Sequence, residues 1–180
     1  MSSQAQQKAI VARTQHWLEK VVIGLNFCPF AKREYDRQRI RYVIDSANSP
    51  TEALASLIDE LSLLDANHEV ETTLIIYDNA FGKFDDYLDL LELATSLVEQ
   101  SAYRGIYQVA SFHPEYCFEG EELSDPANFT NRSPFPMLHL LRESSLESVL
   151  SHFPHPELIP QRNIDKAREL GLNYLQNLML

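Results

Sequence analysis

Apolar positions along the chain recur with two distinct periods, and the changes between them lay out an order of helices and strands. From Gln6 to Leu25, the residues Ile10, Trp17, Leu18, Val21, Val22 and Leu25 fall mainly three and four apart, the spacing that gathers side chains on one helical face. Gly24 and Asn26 supply the stop. Arg39 to Ile44 is short and β-prone, Thr51 to Leu64 returns to the helical period through Leu54, Leu57, Ile58, Leu61 and Leu64, and Val70 to Tyr77 is rich in β-branched residues. A second long helix is expected from Asp85 to Tyr103 on Leu90, Leu91, Ala94, Leu97 and Val98, and a third strand from Ile106 to Phe112. The run from Pro136 to Arg142 is too short for its period to separate strand from helix; a strand is preferred, followed by a short helix capped by Ser144 or Ser145. Asn163 to Leu180 closes the chain as a helix interrupted by Gly171.

Strands separated by crossover helices of a dozen or more residues pair in parallel as a rule. The expected fold is therefore α/β: a mixed sheet of about four strands, the first three parallel, flanked by helices. At 180 residues the chain fits one domain with one core, spanning 1–180. The carboxyl ends of the three strands read Ile44-Asp45, Tyr77-Asp78 and Phe112-His113, and ligands of open α/β sheets bind beyond such ends.

Composition narrows the partners. A formal charge of −11 opposes docking on phosphate backbones, which excludes nucleic acid as an expected partner. A local excess of Lys32, Arg33, Arg37, Arg39 and Arg41 reads as a solvated connection or an anion-docking patch. No stretch approaches the roughly 18 apolar residues of a membrane span, and Met1 to Lys8 is polar with no apolar signal core after it, so a cytoplasmic chain without membrane contact is expected. Cys28 and Cys117 form no disulfide framework. The five glycines build neither a phosphate loop nor a dinucleotide fingerprint, so no nucleotide cofactor held by those motifs is expected.

Candidate chemistry collects at three places. Cys28-Pro29 follows a helix stop, and a new helix starting at Pro29 would put Cys28 near its N-terminus, where the dipole and Lys32 and Arg33 favour the thiolate. The alternative is a cysteine packed between Phe27 and Phe30. His113 ends the third strand and is a candidate acid or base, or else an anchor for the loop after it. In that loop Asp125-Pro126 looks like a cap, and Asn128, Asn131 and Arg132 offer carboxamides around a guanidinium, a set that fits a small anionic metabolite or that knits the loop together. Asp78 completes the strand-end set as a substrate-binding candidate. No metal site is expected, because His113 and Cys117 lie on an extended loop and His152 and His155 are a lone pair.

The segments Trp17-Leu18, Asn26 to Ala31, Ser111 to Pro114, Asp125 to Pro134, Leu138 to Arg142 and Ile159-Pro160 with Arg162-Asn163 together resemble the bacterial family catalogued as domain of unknown function 1415. The resemblance spans nearly the whole chain and implies that these residues lie in family motifs; it implies no activity. Two functional classes follow. One is a binder or enzyme acting on a small anionic metabolite in a pocket at the carboxyl edge, with Cys28 and His113 as catalytic candidates and Asp78, Asn128, Asn131 and Arg132 as binding candidates. The other is an interaction protein that uses its acidic surface and the aromatic loop 112–135.

Overall fold

The computed structural model describes residues 3–180. Ser3 accepts a hydrogen bond from the Gln6 amide and opens α1 (Gln4–Trp17). The same helix then widens into a π-helical turn, Leu18–Ile23, which buries Leu18, Val21 and Val22. The expected single helix is thus two geometries joined end to end. Gly24 follows where a Cβ would stand 2.4 Å from the Lys20 carbonyl oxygen, so nothing larger passes, and Asn26 takes the left-handed conformation at φ 55°. α2 (Ala31–Asp36) is only six residues long and starts after Pro29 rather than at it.

β1 (Ile40–Asp45) leads to α3 (Pro50–Ala66), which Ser49 caps through the Glu52 amide while Pro50 occupies its first turn. β2 (Thr72–Tyr77) is buried along its whole length. α4 (Phe84–Gln100) carries Asp85 and Asp86 inside its first turn, where they complement the dipole; Lys83 holds the cap position. β3 (Tyr107–Phe112), β4 (Met137–Arg142) and α5 (Glu143–Leu150) follow, and the run at Pro136 to Arg142 is therefore a strand. α6 (Ile159–Leu170) and α7 (Leu172–Leu178) are divided at Gly171, whose φ of 80° breaks the helical path.

The sheet order is β1-β2-β4-β3. Only β1 and β2 pair in parallel; β4 runs antiparallel to both β2 and β3. The expectation of three parallel strands is corrected by this insertion, and burial explains it. β4 buries Met137, Leu138 and Leu140 completely and β2 is enclosed on both faces, so these two occupy the centre. β3, with Gln108 exposed, is left at an edge. The long segment from 113 to 136 gives β4 the reach to return between them. Met137 consequently lies opposite both Ile76 and Phe112, so the ends of β2 and β3 meet at one border of the sheet.

Alternation along each strand divides the core in two. Leu74, Ile76 and Met137 pack with Trp17, Val21 and Leu175 under α1, its π turn and the C-terminal helices. Ile75, Leu138 and Leu140 pack with Leu57, Leu61, Tyr87 and Leu90 under α3 and α4. Among the described residues, no helix is long and apolar enough to cross a membrane.

Candidate functional site

His113 follows β3 on the α4 side of the sheet and is fully buried, with 0% of its surface exposed. Its Nδ1 accepts from the Glu115 amide at 3.0 Å, which leaves Nε2 to carry the proton and donate to the Phe81 carbonyl at 2.9 Å. The ring packs against Phe84 and Tyr87 with centroids 5.1 and 4.9 Å away. Burial holds the imidazole below its usual range. Both nitrogens are thus engaged, and the geometry is that of a loop anchor. Tyr87, which the sequence reading passed over, secures the same corner: its hydroxyl donates to the Met137 carbonyl at 2.7 Å and accepts from the Phe112 amide at 3.1 Å. At the neighbouring strand end one Asp78 oxygen accepts from the Asn79 amide group, and the other is buried without a partner.

The polar cluster downstream is directed into its own loop. Asp125 caps a short 3-10 turn, Pro126–Thr130, and its carboxylate receives Nε and Nη2 of Arg168 from α6 at 3.1 and 2.9 Å. Asn128 is fully buried, accepts from the Phe118 amide and donates to the Glu122 carbonyl. Asn131 donates to the Ser111 carbonyl, so it extends the edge of β3. Arg132 directs Nε to the Tyr116 carbonyl at 3.1 Å and Nη2 to the Leu123 carbonyl at 2.7 Å, with its guanidinium 4.8 Å above the Phe129 ring. The loop's aromatic residues turn inward as well: Phe112 meets Trp17, and Tyr116 meets both Phe84 and Phe118 in edge-on pairs.

A large space lies on the other face of the sheet. A cavity of about 1130 Å³ runs along that face from the amino ends of β1 and β2 toward Phe112, with α5 and the start of α6 along its rim. Most of its wall is carbon: Leu18, Phe30, Leu74, Ala110 and Phe112 contribute, and Cys28, Asn131 and His139 supply polar atoms. Cys28 and His113 therefore stand on opposite sides of the sheet. Of the residues chosen from sequence, Cys28 and Asn131 border the cavity, whereas His113, Asn128, Arg132 and Asp78 do not.

Cys28 is held in place from the far end of the chain. Asn163 donates to the Phe27 carbonyl at 2.6 Å and Lys166 to the Leu25 carbonyl at 2.9 Å, so α6 fixes the segment that carries the thiol. The expected fall in the thiol pKa is reversed. Burial pushes the Cys28 thiol up against the weaker pull of the Phe30 and Ala31 amides, while Lys32 is paired with Asp36 and Arg33 with Glu34. Both cysteines are free thiols.

His139 is the residue that sequence reasoning missed. It sits in the centre of β4, shares its face with Met137, and places its Nε2 2.6 Å from Thr72 Oγ1 on β2. Burial pushes its imidazole down to about 4, so it is neutral at physiological pH. The signal was present as the one polar side chain in Met137-Leu138-His139-Leu140-Leu141, an apolar run of the kind a central strand carries. Among the described residues no three His, Cys, Asp or Glu side chains are grouped to hold a metal ion.

No curated protein and no solved structure matches the chain. The family described as "Protein of unknown function (DUF1415)" matches residues 9–177, nearly the whole of the fold just described, and the chain belongs to that family.

Proposed function

We propose that the protein binds a small molecule, and that the ligand sits on the face of the sheet between Cys28 and His139 rather than beyond the strand ends. The observation that carries this reading is the cavity itself: about 1130 Å³, walled chiefly by aliphatic and aromatic carbon, with polar and charged side chains such as Thr72, Gln108, His139 and Arg142 among them. Ligand sites in proteins have this make-up, because apolar walls supply affinity and scattered polar atoms set orientation. The reading keeps the small molecule expected from sequence and moves its seat. Asn131 and Cys28 remain as wall residues, while the amide of Asn128 and two of the guanidinium nitrogens of Arg132 are occupied by backbone partners. The contacts of Tyr116 with Phe84 and Phe118 favour this reading over one in which the aromatic loop docks a partner.

A plugged variant tests it. Ala110 lies on β3 within the cavity wall, and Ala110→Phe directs a ring into the open space. Aromatic and aliphatic metabolites screened by ligand-observed NMR are expected to bind the native chain and to lose binding to Ala110→Phe at unchanged thermal stability. Equal binding by the two proteins, or binding by neither, would overturn the assignment.

A further inference from the structure

We infer that the cavity selects an uncharged ligand carrying a hydrogen-bond donor on an apolar body, and that His139 Nδ1 is the acceptor that reads this donor. The inference rests on the cavity being the binding site and adds the class of ligand. Its basis is a proton count. Thr72 has one hydroxyl proton, and its oxygen stands 2.5 Å from the Leu140 carbonyl, which can only accept. The hydroxyl proton therefore points at Leu140. The 2.6 Å contact between Thr72 Oγ1 and His139 Nε2 then has the imidazole as donor. A neutral imidazole protonated at Nε2 has a bare lone pair at Nδ1.

That lone pair has no partner among the described residues and is not among the enclosed polar atoms, while the ring is part of the cavity wall. The acceptor thus opens onto the space where a ligand would lie. Phe112 packs beside the ring, with centroids 6.0 Å apart, and Leu74 and Ala110 are close along the same wall. An N–H or O–H placed against Nδ1 is satisfied there. A carboxylate or phosphate brings lone pairs against a lone pair, and an ammonium would lose its water to carbon walls without a counter-charge beside it. Among the wall carboxylates, Glu34 is paired with Arg33 and Arg39 and Glu71 gives one oxygen to Arg39, while Glu143 and Glu147 belong to α5 at the rim.

The experiment uses three probes of one shape: 2-naphthol, its methyl ether and 2-naphthoate, titrated into the native chain and into His139→Phe. The phenol is expected to bind the native protein about five- to tenfold more tightly than the ether, the size of one net hydrogen bond. That preference should vanish in His139→Phe, with the ether's affinity retained, and naphthoate should bind weakest. Equal binding of phenol and ether by native protein, or preference for naphthoate, overturns the inference and leaves the cavity assignment standing. Failure of all three to bind sinks both. Should His139→Phe not fold, the ¹⁵N spectrum of the native imidazole decides: an unprotonated Nδ1 whose resonance moves with 2-naphthol and not with the ether is expected, and a protonated Nδ1 overturns the inference.

Discussion

The Nε2 of His113 donates to the carbonyl of Phe81, a residue held in the left-handed conformation at φ 58°. A phenylalanine adopts that conformation at a cost, so the turn after β2 is secured from outside itself. The His113 side chain supplies that tie and at the same time fixes Glu115 at the start of the long loop. His113→Leu removes both bonds and leaves a partly buried carbonyl and an amide unpaired. It is expected to lower unfolding free energy by about 2–4 kcal/mol, read by urea titration. A loss under 1 kcal/mol would show that the tie is dispensable.

Arg132 holds the same loop at its other end through the Tyr116 and Leu123 carbonyls. Arg132→Ala should free the segment between them and cost about 2 kcal/mol, since two carbonyls lose a charged donor. Limited proteolysis is expected to cut between residues 116 and 125 in the variant and not in the native chain. An unchanged digestion pattern would refute this role.

Cys28 is expected to be a slow thiol at neutral pH. With its pKa raised by burial, alkylation by iodoacetamide in a Cys117→Ser background should lag behind that of a cysteine peptide and keep rising above pH 9. A ligand seated in the cavity should slow it further. Rapid labelling at pH 7 would restore the activated thiolate that the sequence suggested.

His139 makes stability depend on acid. Its folded pKa of about 4 lies below the ordinary 6.5, so the unfolded chain takes up the proton first. The stability it allows is complete above about pH 6.5 and is lost as pH falls toward 4, by up to about 3 kcal/mol. Thermal melts of His139→Gln, which has no imidazole to titrate, should fall less steeply across that window than those of the native protein. Parallel curves would remove the assignment.

Helices and strands were legible in this sequence because each is specified by its own period. Leu57, Leu61 and Leu64 mark α3 as clearly in the structure as in the sequence, and all three are fully buried. Sheet order is a different kind of information. It depends on which strands can be covered on both faces, and the apolar run at 137–141 was the cue that β4 belonged in the centre. The site was harder to read. Asn128 and Arg132 carry groups that serve a ligand or a loop equally well, and only the positions of the Phe118, Tyr116 and Leu123 backbone decide between them. For Cys28 the sequence left an activated thiolate and a packed cysteine both open, because two opposing effects act on the thiol and burial, the larger, has no local signature in sequence.

The central place of β4 also sets an order of events during synthesis. Until residue 142 has left the ribosome, the β1–β2 pair and β3 have no strand between them, and the apolar side chains of Ile75 and Leu74 lack the partners that β4 brings. Almost four fifths of the chain is thus made before the sheet can close, a span in which unpaired strand edges invite association with other chains. Closure then waits on a single antiparallel insertion of high sequence separation, a slow kind of contact to form. For a nascent chain of this design, α3 and α4 can cover one face and α1 with its π turn part of the other while β4 is awaited, and α6 and α7 complete that second face only after β4 has been made.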